Sequence, residues 1–94
     1  ATAADRNNAS AWSNRGNCLY TLGRFPEALE NLTRAIDEDP KNESAWLNKG
    51  LVEDRLGKLR EAADSYRRFL ALHPVQYAAH IPFAKKRCAE LGGV

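Results

Sequence analysis

The chain has 94 residues, enough for one small domain, and its 44% hydrophobic and 28% charged content is ordinary for a soluble globular protein. A formal net charge of +2 gives no broad basic field, so nucleic acid is not an expected partner. No run approaches the ~18 apolar residues of a membrane-spanning helix and no secretory leader pattern is visible, so a cytoplasmic protein without a membrane role is expected.

Residues 1–8 read as the tail of a preceding unit or a disordered end. Ala4-Asp5-Arg6-Asn7-Asn8 parallels Glu38-Asp39-Pro40-Lys41-Asn42, with Arg6 in place of the proline. A first helix is predicted over about 9–22, carrying Trp12, Gly16, Leu19 and Leu22 at helical spacing. Gly23 ends it, because glycine reaches the left-handed conformation of a helix stop. Pro26 suits the opening turn of a second helix, over about 25–38, with an apolar stripe of Phe25, Ala28, Leu29, Leu32, Ala35 and Ile36. Pro40 stops it. A third helix over about 43–56 carries Trp46, Gly50 and Leu56. A fourth over about 59–72 carries Leu59, Ala62, Ala63, Tyr66, Phe69 and Leu70, and His73-Pro74 closes it. In residues 77–94, Tyr77, Ile81, Ala84, Cys88 and Leu91 form a last helical stripe. Pro82 lies within it and predicts a late start or a kink at about residues 78–82.

These elements form a repeat. Ser10, Ala11, Trp12, Asn14, Gly16, Leu22, Gly23, Glu27, Ala28, Arg34 and Pro40 recur thirty-four residues later as Ser44, Ala45, Trp46, Asn48, Gly50, Leu56, Gly57, Glu61, Ala62, Arg68 and Pro74. A sustained period of that length marks stacked supersecondary units. The small residues Gly16, Gly50, Ala28 and Ala62 are expected where two helices cross closely, with Trp12 and Trp46 packed beside the crossing.

Trp12, Gly16, Ala28, Leu32 and Pro40, then Trp46, Gly50, Ala62, Tyr66 and Pro74, resemble the tetratricopeptide repeat (TPR) pattern W-x2-L-G-x2-Y…A-x3-F…P. Two positions depart. Arg15 or Lys49 replaces the usual Leu, and Leu19 or Glu53 replaces the usual Tyr; Lys49 and Glu53 are one turn apart and can pair. The resemblance implies an all-α, right-handed α-solenoid: repeat 1 over 9–42, repeat 2 over 43–76 and a capping helix over 77–94. His80 stands at the Trp position of that last helix and Ala84 at the Gly position.

No catalytic constellation is present: no Gly-rich phosphate loop after a strand, no HExxH, no G-x-S-x-G. No enzyme and no cofactor are expected. Cys18 and Cys88 lack metal or redox spacing and read as reduced packing residues, and His73 and His80 supply no metal set. Arg67-Arg68 and Lys85-Lys86-Arg87 read as solvated helix faces.

The resemblance therefore implies a non-catalytic module that binds another protein, with a peptide or helix in the concave groove lined by the first helix of each unit. The residues expected to carry that contact are Ser13, Asn14, Asn17, Tyr20, Leu47, Asn48, Leu51, Arg55 and Lys85. Asparagines can pair with an extended backbone without demanding a sequence, or bond only locally and to water. Some members of the family clamp the acidic tails of chaperones with two Asn and three cations. Asn17 and Asn48 match the two Asn positions, but Ser13, Ala78 and Pro82 stand at the cation positions, so this clamp is not expected. The alternatives are a unit that self-associates through its open N-terminal helix face, or a fragment of a longer array.

Overall fold

A computed structural model describes residues 3–92 of the chain, with side chains from residue 7 to residue 91. Five α-helices follow one another: α1 Ala3–Thr21, α2 Phe25–Glu38, α3 Glu43–Arg55, α4 Leu59–Ala71 and α5 Ile81–Gly92. A 3₁₀ segment, Val75–His80, precedes α5. α1 pairs with α2 and α3 with α4; α2 packs against α3, and α5 against α4. A helical repeat solenoid results.

The two hairpins close identically. Gly23 and Gly57 have φ of 78° and 76°. Arg24 N–H donates to Leu19 O and Gly23 N–H to Tyr20 O; Lys58 N–H donates to Glu53 O and Gly57 N–H to Asp54 O. This pair of reverse bonds satisfies carbonyls that the helix end would otherwise leave open. The next helix starts at once, with Pro26 in the first turn of α2.

Gly16 and Gly50 are buried where the helices of each pair cross. A Cβ at Gly16 would lie 2.6 Å from Leu32 Cγ, and one at Gly50 would lie 2.7 Å from Tyr66 Cε1. Around these crossings lie two apolar clusters. Ala28, Leu32 and Val52 form one, with Leu19, Phe25 and Leu56 against it. Leu47, Ala62, Tyr66, Phe69 and Ala84 form the other, with Trp46, Tyr77, Cys88 and Leu91 against it. α3 joins them, since Val52 faces one cluster and Leu47 the other.

Several expectations are refined. The helix predicted from about residue 9 begins at Ala3, because the segment before Trp12 contains no proline or glycine to stop it. Arg6 stands where Pro40 breaks the later unit. The indoles are half-buried rather than central. Arg34 lies over the Trp12 ring at 4.9 Å and Arg68 over Trp46 at 5.2 Å, which gives the recurring arginine a packing reason. Trp46 Nε1–H also donates to Pro40 O at 2.7 Å. Glu53, at the usual Tyr position, is buried. Its carboxylate takes Lys49 Nζ at 2.8 Å and the Ser65 hydroxyl, so an ion pair replaces an aromatic. Cys18, expected to pack, is exposed on α1, while Cys88 lies against α4 with Sγ 3.6 Å from Ala63 O. At the far end, His73 takes a positive φ of 51° before buried Pro74. The chain breaks regular geometry at Tyr77, and α5 starts at Ile81 with Pro82 in its first turn.

Candidate functional site

Helical spacing places Asn14, Asn17 and Tyr20 along one stripe of α1, and Ser44, Leu47, Asn48, Leu51 and Arg55 along the facing stripe of α3. Between them and the 3₁₀ segment runs an open trough of about 380 Å³, lined by Asn14, Asn17, Ser44, Leu47, Asn48, Leu51, Tyr77 and His80. Leu51 also lines a second cleft of about 360 Å³, shared with Tyr20, Asp54, Arg55, Phe83 and Arg87. The two clefts thus adjoin along α3. Among the described residues, the carboxamides of Asn14, Asn17 and Asn48 hold no side-chain hydrogen bond; the local bonds of α1 and α3 use Thr21, Asn42, Ser44 and Lys49 instead.

The structure thus brings Asn14, Asn17, Leu47, Asn48 and Leu51 to the trough, and Tyr20, Leu51 and Arg55 to the adjoining cleft. Ser13 and Lys85 line neither. Ser13 is buried beneath the groove with Oγ 2.9 Å from Ser44 Oγ. Ser44 gives its own proton to Asn42 Oδ1, so Ser13 is the donor in that pair. Asn42 Oδ1 also caps α3 by accepting Ala45 N–H. This relay ties α1 to the start of α3. Lys85 is exposed on α5.

The second cleft has an ionic wall. Arg87 of α5 grips Asp54 of α3 with both arms, Nη2 to Oδ1 at 2.6 Å and Nε to Oδ2 at 2.7 Å. The Tyr66 hydroxyl donates to the same carboxylate at 3.2 Å. The Arg87 guanidinium holds the Asp54 carboxyl below the usual carboxylate range, against the opposing effect of burial. Burial, followed by the Asp54 charge, pushes the Tyr66 hydroxyl above the usual phenol range. Arg55, next to Asp54, is exposed and forms no ion pair among the described residues.

Sequence reasoning did not single out Tyr77, His80, Phe83 or Arg87 as groove residues. Arg87 sits in a basic run that reads as solvated, and its partner lies thirty-three residues away. The acid-base spacing within α3 and α5 gave no sign of that pair. Among the described residues no group of three or more His, Cys, Asp or Glu side chains could hold a metal ion. No described helix is long and apolar enough to cross a membrane.

Comparison with known proteins agrees with this architecture. The profile of the tetratricopeptide repeat matches the chain over residues 1–43 and 19–77. The chain is also similar to the solved TPR domain of Arabidopsis OM64, with a TM-score of 0.78 and 31% sequence identity over 88% of this chain and 67% of that one. No curated protein matches it.

Proposed function

The chain belongs to the tetratricopeptide repeat family, whose domains generally mediate protein–protein interaction, and we propose that it holds a peptide segment of a partner protein in the trough between α1, α3 and the 3₁₀ segment. The observation that carries this reading is the set of three carboxamides that hold no side-chain hydrogen bond among the described residues, in a trough they share with Leu47 and Leu51. Asn14, Asn17 and Asn48 each offer a donor and an acceptor. An extended backbone presents the same two groups in alternation, so the match is to main chain rather than to one side chain. Leu47 and Leu51, on the same lining, supply apolar contact. The cation positions of a chaperone-tail clamp hold Ser13, Ala78 and Pro82, and Ser13 is engaged with Ser44. Main-chain pairing is therefore favoured over capture of a terminal carboxylate. The family and fold are typically non-catalytic, and the reading assigns no reaction.

Asn48→Ala is expected to weaken partner binding roughly tenfold, the scale of one or two lost hydrogen bonds. Helicity and thermal midpoint should hardly move, since the Asn48 carboxamide holds no hydrogen bond to another described residue. Circular dichroism and titration calorimetry on the same preparation separate the two effects. Parallel loss of fold and binding would overturn the reading.

A second reading rests on α1. Val52 and Leu56 of α3 pack in the cluster with Ala28 and Leu32 of α2, and Ala45 is buried, whereas their counterparts Cys18, Leu22 and Ala11 on α1 are exposed, Leu22 at 70%. We propose that this face takes a second copy or another helix when the trough is not the principal contact. Sedimentation over a hundredfold concentration range checks it: Leu22→Glu should abolish any rise in mass, and an invariant monomer would remove the self-association.

A further inference from the structure

The cleft beside the trough carries its own chemistry. Three of its walls are apolar or aromatic: Tyr20 from α1, Leu51 from α3 and Phe83 from α5. Phe83 is 43% exposed although it is a large hydrophobic residue. Its ring meets Tyr66 edge-on, with centroids 5.8 Å apart and planes at 90°, which fixes its orientation while leaving it open to the cleft. Tyr20 is likewise held against Phe25, with centroids 5.7 Å apart. The walls are thus in place before any ligand arrives.

The charges of the cleft are unequal. Asp54, Arg55 and Arg87 all line it. Both oxygens of Asp54 are occupied by Arg87, and one of them by Tyr66 as well, so that pair is internally neutralised. Arg55 is left as the uncompensated charge, exposed and without an ion pair among the described residues. Its fork of donors pairs better with the two oxygens of a carboxylate than with the single oxygen of a backbone carbonyl.

Resting on the trough reading above, we infer that the peptide accepted here is acidic and hydrophobic: a bulky aromatic or branched aliphatic side chain seats among Tyr20, Leu51 and Phe83, and a neighbouring Asp or Glu pairs with Arg55. The carboxamides of the trough then hold the adjoining main chain. The trough alone tolerates many sequences; the cleft selects among them.

Selection from a random dodecapeptide phage library, followed by fluorescence anisotropy of the enriched peptides, tests this. Enriched peptides should place Asp or Glu within a few residues of an aromatic or branched side chain. Phe83→Ala and Arg55→Glu should each weaken those peptides about tenfold or more. Peptides with the acidic residue changed to Lys should recover affinity for Arg55→Glu, a rescue that general damage to the fold cannot produce. If enriched peptides lose affinity with Asn48→Ala but are indifferent to Arg55→Glu and Phe83→Ala, the trough reading stands and this inference falls. If no peptide is enriched, or binding ignores all three substitutions, both fall.

Discussion

At Gly50 the helix crossing has room for a hydrogen and nothing larger. A methyl there would overlap Tyr66, whose ring is fully buried and whose hydroxyl is tied to Asp54, so the ring has no easy retreat. Gly50→Ala gains helix propensity but is expected to destabilise the fold by about 1–3 kcal/mol, the usual range for overpacking a tight core. Urea melts of the variant against wild type give the number, and unchanged stability would mean that α3 and α4 can part at little cost. Gly16 has the same geometry against Leu32. These glycines were legible in the sequence, since a small residue at a fixed place in both copies points to close helix approach. Ser13 was not. Its place in the relay to Ser44 and Asn42 depends on how α1 leans on α3, which the periodicity of either helix alone does not specify.

At the scale of elements, the hairpins and the last helix are held by different devices. Glycine-closed turns are local and were readable from Leu22-Gly23 and Leu56-Gly57. α5, packed mainly on α4, is tied to α3 by the ion pair of Arg87 and Asp54, which are distant in sequence and were not readable. That attachment should depend on pH. The folded Asp54 carboxyl titrates below its unfolded value, near 3.8, so its stabilising effect is full above that value and is lost as pH falls through the lower, folded one. Wild type should melt higher than Asp54→Asn near neutrality, and the gap should close on acidification below about pH 4. Thermal melts across the acid range would show this, and a constant gap would mean that the carboxylate charge is not what holds α5. The start of α1 at Ala3 shows the converse limit: similarity to the tail of a repeat suggested a break, but without a proline the helix simply continues.

For the whole molecule, the solenoid and the α1 and α3 sides of its trough followed from one period, because packing residues repeat where the fold repeats, whereas Tyr77 and His80 on the trough's third side did not. The adjoining cleft did not, since Phe83 and Arg87 come from α5, where the repeat gives way to a 3₁₀ segment and the register changes. The two tryptophans have a further use. Each lies under an arginine from the second helix of its own hairpin, Trp12 under Arg34 and Trp46 under Arg68. Each indole is therefore an optical reporter of one hairpin. α5 covers α4, while α1 leaves an outer face open. With Trp46→Phe and Trp12→Phe proteins, the emission of Trp12 should change at lower denaturant than that of Trp46, because stacked units open from their less covered end. Coincident transitions would instead make these 94 residues a single cooperative unit, melting as one despite the period written into them.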